Sequence, residues 1–177
     1  MTAAMAVPAA LTAAPAGAVG GTACTKAAGT ATFNPVLPKL SSTTKVMPTV
    51  TITGAKVGGC VGGGVTAGRL SAKLKFHVAS NCTTLFNGKS GGVYGPLKIV
   101  WANSKGTSTV GKATLAGITG QPPTVQKVSG TVTLGKFKGS KLTATTVYTL
   151  PTDGSCSSKG LSKVTFKLKT ATKLVIK

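Results

Sequence analysis

The chain has 177 residues and carries 21 Lys and Arg against a single acid, Asp153, for a formal net charge of +20. That balance leaves almost no partner for an internal salt bridge and excludes chemistry built on paired carboxylates, such as glycoside hydrolysis. Hydrophobic residues make up 41% and charged residues 12%, which argues against a chain disordered throughout and for one domain with a sizeable core.

In chain order, residues 1–23 read "MTAAMAVPAALTAAPAGAVGGTA", an Ala/Pro/Gly stretch without charge. "AGA" at Ala16–Ala18 has the small-x-small form of a signal-peptide cleavage site. Residues 1–23 are therefore expected to be a signal-peptide remnant or a disordered tail, and 24–177 a single β domain. Ala in place of Leu, with Pro8 and Pro15, argues against a membrane-spanning helix. Cys24 in "GTAC" lacks the Leu that a lipoprotein signal would place at Gly21.

From here the hydrophobic period is two. "TATF" turns Ala31 and Phe33 one way, and "PTVTITG" does the same with Val50 and Ile52. "RLSAKLKFHVA" sets Leu70, Ala72, Leu74, Phe76 and Val78 against Arg69, Ser71, Lys73, Lys75 and His77. "PLKIVWA" opposes Leu97, Ile99 and Trp101 to Lys98 and Val100, while "STVGKATLAG" alternates less cleanly. "VSGTVTLG" predicts Val128, Val132 and Leu134 inward, and "KLTATTVYTL" predicts Leu142, Ala144 and Tyr148 inward. The final stretch, "KVTFKLKTATKLVIK", separates Val164, Phe166, Leu168, Leu174 and Ile176 from Lys163, Lys167, Lys169, Lys173 and Lys177. Fully extended it would span on the order of 46 Å, too long for one strand of such a domain, so a bend or a division is expected near Thr170–Thr172. "NPVLP", "GAKVGGCVGGG", "SNCTTLFNGKSGG", "NSKG", "GQPP", "GKFKGSK" and "PTDGSCSSKG" are the turn signals between strands. About eight such strands predict an all-β fold, an antiparallel β-sandwich of immunoglobulin-like layout, with a closed β-barrel as the alternative.

The four cysteines, Cys24, Cys60, Cys82 and Cys156, form no CxxC pair, and only one histidine is available, so a zinc site is a poor fit. An even number in a chain expected to be exported predicts two disulfides. Three pairings are open. Cys24–Cys60 with Cys82–Cys156 is favoured because the first bridge would tie the N-terminal segment to the loop after the second strand.

"CTKAAGTATFNPVLP", "TITGAKVGGCVGGGVTAGRLSAKLK", "SNCTTLFNG", "VSGTVTLGKFKGSKLTATTVYT" and "GSC" together resemble small exported, Thr/Gly-rich, four-Cys β proteins of actinobacteria. The resemblance spans residue 24 to about 170 and rests on composition and spacing. It implies export and a β fold and supplies no activity, and the near-absence of acids departs from that group.

General acid–base chemistry would have to draw on His77 and Asp153. His77 has the polar parity of its strand, and Asp153 sits in a "PTDGS" turn, where Asp accepts local backbone bonds. "GGCVGGGV" lacks the GK[ST] ending of a phosphate loop and leads into a strand. "NCT" at Asn81 is formally a glycosylation sequon. The reading is a non-enzymatic protein with no catalytic residue, no metal site and no cofactor.

The lysines remain. One account is solubility and protection of sheet edges, which does not explain the loss of nearly every acid. The other is binding to anionic envelope polymers or other polyanions, with Lys73, Lys75, Lys163, Lys167, Lys169 and Lys173 as the candidate surface at a secreted or cell-surface location. Lysine rather than arginine, and few aromatics, argue that any nucleic-acid binding would be sequence-independent; an anionic lipid surface is the other alternative of this kind. A subunit of a surface assembly or adhesin is a further alternative, for which outward Val100, Val147 and Val175 are the hint.

Overall fold

The structure, a computed structural model, describes residues 20–86, 91–150 and 155–177. Residues 1–19 of the expected 1–23 signal segment, with its cleavage site, and Asp153 lie outside the described residues. Among the described residues, nine strands form one sheet: β1 (Thr22–Leu37), β2 (Thr49–Val61), β3 (Ala67–Phe76), β4 (Val93–Trp101), β5 (Thr107–Gly117), β6 (Val125–Gly135), β7 (Lys141–Thr149), β8 (Leu161–Leu168) and β9 (Leu174–Ile176). Two short helices, α1 (Cys82–Phe86) and α2 (Ser155–Ser158), sit in loops.

From β1 to β8 each strand runs antiparallel to the one before it, and β1 pairs with both β2 and β8, so the sheet closes on itself. The fold is the closed barrel and not the sandwich. Period-two alternation specifies one buried face per strand, and both architectures satisfy that requirement. What separates them is the β8–β1 pairing, a contact between the far ends of the chain that alternation does not encode.

The division expected near Thr170–Thr172 is present. β8 pairs with the C-terminal half of β1 and β9 with its N-terminal end, Thr22 to Cys24. β7 is shared in the same way. β8 and β9 are therefore one interrupted stave, broken at residues 169–173 where Ala171 takes a positive φ of 62°, and the barrel has eight staves.

Bulges move several residues from their expected face. In β2, Gly54 adopts φ 62° and the register with β3 shifts between Ile52 and Ala55. The buried set changes there from Val50 and Ile52 to Ala55 and Val57, and the strand continues through "GAKVGGC". β5 changes parity in the same way, from Ser108 and Val110 to Ala113, which accounts for its weak alternation. On β6, Val132 faces Val110 but Leu134 faces Thr109, so Leu134 turns outward and is 61% exposed. Val78, also expected inside, is exposed because β3 ends at Phe76. "NPVLP", expected as a turn, lies at the end of β1, with a register shift between Thr32 and Leu37.

The two ends differ. At the lower end, hairpins of five residues (62–66, 102–106, 136–140) join the strands. Trp101 and Phe137 meet edge to face at 5.7 Å there, and the Trp101 indole N–H donates to Ser108 Oγ at 2.9 Å. Gly62, Gly63 and Gly64 all have positive φ, and a Cβ at Gly63 would run into the Phe137 ring. The glycine loop is a tight hairpin fitted over this plug. Cys24 and Cys60 are directly opposed on β1 and β2 and bonded to each other. Cys60 thus lies within a strand and not in the loop after it.

At the upper end the connections are longer. Cys82 on α1 is bonded to Cys156 on α2, which ties the β3–β4 loop to the β7–β8 loop. Asn81 caps α1: its Oδ1 accepts from the Thr84 N–H at 3.0 Å, and its own N–H donates to Thr84 Oγ1 at 2.9 Å. Its Nδ2 donates to the Ser42 carbonyl at 2.8 Å, and Asn81 is buried. The sequon is therefore a helix cap whose amide nitrogen is already engaged, not a glycan acceptor. Leu40 N–H donates to the Cys156 carbonyl, and Val46 bridges Ser80. Three of the four upper loops are thus stitched into a lid.

Candidate functional site

The predicted lysines all point away from the core. Lys73, Lys75, Lys163, Lys167 and Lys173 are exposed, and Lys169 is half-buried, donating to Gln121 Oε1 at 2.8 Å. In sequence they belong to two distant groups. In the barrel, β8 and β3 are separated only by β1 and β2, about 14 Å along the wall at the usual strand spacing.

Those two intervening strands add residues that the sequence pattern did not single out. Lys167 faces Ala28 on β1, Ala28 faces Lys56 on β2, and Lys56 faces Arg69 on β3. A second row runs from Lys163 through Thr32 and Thr51 to Lys73. With Lys26 and Lys75, the four adjacent staves β8, β1, β2 and β3 present seven exposed cations; β4 to β7 present four, Lys98, Lys112, Lys127 and Lys141. Lys26 and Lys56 stand alone in "CTKAAG" and "GAKV", so only the register could place them in the cluster.

His77 is exposed, as its parity indicates, and its ring lies 4.5 Å from that of Tyr94. Lys112 Nζ sits 5.5 Å from the centroid of the same Tyr94 ring. Both pairs of cysteines are disulfide-bonded, and among the described residues no cluster of three His, Cys, Asp or Glu could hold a metal.

The barrel interior is apolar, and it is not full. It encloses about 100 Å³ of space in which the centre of a water-sized sphere can move. The void follows from small side chains: β1 contributes Ala27 and Ala31 to its lining, and β7 contributes Ala144. Below it lie the Trp101–Phe137 plug and the Cys24–Cys60 bridge, and from above Leu85 of α1 reaches in. Gln126, Thr146 and Tyr148, on β6 and β7, bring the polar side chains of the lining together. Gln126 and Thr146 are register partners, and Tyr148 is two residues further along β7. Burial pushes the Tyr148 hydroxyl up to about 12. The inward side chains that stay half-exposed, Leu115, Gln126, Thr146, Tyr148 and Phe166, all belong to β5–β8, so the interior opens on that side.

A barrel that crosses a membrane turns its apolar face outward; this one turns lysine and threonine outward and keeps its apolar residues inside. Among the described residues, no helix is long and apolar enough to cross a membrane. Fold and wall together define a class: a small cationic closed β-barrel, tied by two disulfides, with a partly hollow apolar core. Comparison with family models, with curated proteins and with solved structures finds no match to the chain.

Proposed function

We propose that this protein is a non-enzymatic, exported binder of polyanions, and that it docks anionic envelope polymers on the β8–β1–β2–β3 wall. The observation that carries the reading is the concentration of seven exposed cations on four adjacent staves. Edge protection explains lysines on open sheets, and a closed barrel has no free edge along its staves to protect. Neighbouring staves lie about 4.8 Å apart, so cations one or two staves apart sit within or near the Debye length of about 8 Å at physiological salt. A polymer of closely spaced negative charges would relieve their mutual repulsion and release its own condensed counterions. The two disulfides suit an oxidising compartment, where such polymers are met.

The test is thermal melting with polyphosphate or a teichoic-type polymer at about 0.15 M salt, against matched simple salt. The native protein is expected to gain stability with the polymer. A triple variant, Lys56→Gln, Arg69→Gln and Lys167→Gln, is expected to lose most of that gain. The charge-matched control, Lys98→Gln, Lys112→Gln and Lys127→Gln, should keep it. No polymer-specific shift in the native protein would remove the proposal, and equal losses in the two variants would remove the assignment to this wall.

A further inference from the structure

The barrel interior is a second candidate site, separate from the charge on the surface. Closed barrels of eight strands have an interior just wide enough either to be filled by side chains or to hold one small ligand. Here Ala27, Ala31 and Ala144 stand at positions where larger side chains would fill the space, and about 100 Å³ stays open. A single water needs on the order of 10–15 Å³ by this measure, so the space suits a molecule of several heavy atoms. Water itself is a poor occupant, because it needs two to four polar partners and the walls are mostly aliphatic or aromatic.

The exceptions are grouped. Gln126, Thr146 and Tyr148 offer amide and hydroxyl groups within one upper corner, at the side where the interior opens. The Thr146 hydroxyl donates to the backbone carbonyl of Gln126 at 3.4 Å, which leaves its oxygen free to accept. The Tyr148 hydroxyl has no hydrogen-bond partner among the described residues, although its ring packs against the core. None of the lining side chains is charged, so an ionised ligand group would lose its hydration without gaining a counter-ion. The arrangement is a small apolar chamber with one neutral polar corner, the usual composition of a ligand site.

We propose that the barrel interior binds one small uncharged amphiphile, a short alkyl chain ending in a single hydroxyl, carbonyl or amide group, with that group at Tyr148, Gln126 and Thr146 and the chain running down toward the Trp101–Phe137 plug. Leu85 covers the chamber from α1, and the Cys82–Cys156 bridge holds α1 in place. The ligand enters between the upper ends of β5 and β8, past Leu115 and Phe166.

The experiment follows 1-pentanol, a neutral amphiphile small enough for the chamber, by saturation-transfer NMR on the native protein. Pentanol should bind at a single saturable site. Pentane, with no polar group, should bind about tenfold less well, and pentanoate should bind at least tenfold less well than the alcohol at neutral pH. Tyr148→Phe should bring pentanol and pentane to within about twofold of each other. Ala144→Phe, which fills the chamber, should abolish pentanol binding; Ala31→Leu, also in the lining, repeats the test if the first variant does not fold. Absence of binding by the native protein overturns the proposal, as does undiminished binding by a folded chamber-filling variant, which would place the alcohol on the outer surface. An alcohol preference unchanged in Tyr148→Phe, or a stronger preference for pentanoate, overturns the neutral polar corner. Because pentanol and pentane are uncharged, these results do not depend on the lysine wall.

Discussion

Replacing Cys82 and Cys156 together with alanine removes the bridge that ties the lid. The cysteines are 74 residues apart, and the chain-entropy relation assigns such a cross-link about 4.5 kcal/mol at 25 °C, through its restriction of the unfolded chain. The Cys24–Cys60 bridge, with a separation of 36, comes to about 3.8 kcal/mol by the same relation. The first loop closes before the second begins, so the two contributions are independent. In the folded state the lid keeps other ties: Leu40 to Cys156, Asn81 to Ser42 and Val46 to Ser80. The loss should therefore fall on the unfolded side, at about 4 kcal/mol for Cys82→Ala/Cys156→Ala, with the native far-ultraviolet spectrum retained. Urea unfolding followed through Trp101 fluorescence, which reports from the opposite end of the barrel, measures it. The m-value should rise, because the unlinked chain exposes more surface when it unfolds. A loss under about 1 kcal/mol with an unchanged m-value would refute the reasoning, since it would mean that the bridge does not constrain the unfolded ensemble.

Three further outcomes are expected. The folded state keeps the Tyr148 hydroxyl protonated up to about 12, against an ordinary value of about 10, so between these values the folded chain holds more protons than the unfolded one. The stability tied to that proton is complete below about pH 10 and lost as pH rises through about 12; partial exposure limits it to about 2 kcal/mol. Paired unfolding curves of the native protein and Tyr148→Phe, in which lysine deprotonation is common to both, should converge by that amount, and parallel curves would contradict it. Asn81→Ala removes both the cap and the donor to Ser42, and should cost about 2–3 kcal/mol, or roughly 5–10 °C in a thermal melt. Gly63→Ala should cost more than Gly64→Ala, because both take positive φ but only the first meets the Phe137 ring; equal losses would mean that the hairpin does not press on the plug.

The strands were legible wherever a residue's parity survived along their length. Leu70 to Phe76 and Val164 to Leu168 keep it, and their lysines point outward as their neighbours require. Parity failed at the bulges. Gly54 looked like the end of a strand and is the point where β2 changes face, and Leu134 followed Val132 in spacing but not in direction. Such bulges are how a sheet curves enough to close, so the features that obscured the strands are also those that make a barrel. The preferred cysteine pairing is the one present. The cation wall was half legible, because Lys56 and Arg69 become neighbours of Lys167 only once β8 and β1 pair. The chamber was not legible at all: Ala31 and Ala144 read as ordinary small core residues until the facing walls are known.

The stave shared by β8 and β9 also orders events in time. β1 can pair with β2, its neighbour in sequence, across the loop of residues 38–48, but its other flank is satisfied only by residues 161–176. Until that segment arrives, the growing sheet is open, with unpaired backbone on the first strand and the apolar interior facing solvent. Contacts so distant along the chain are slow to form. The rate-limiting event in folding should therefore be the insertion of β8 and β9 between β7 and β1, and the open-sheet state before it is the point at which the chain is most exposed to edge-to-edge aggregation and to capture by chaperones.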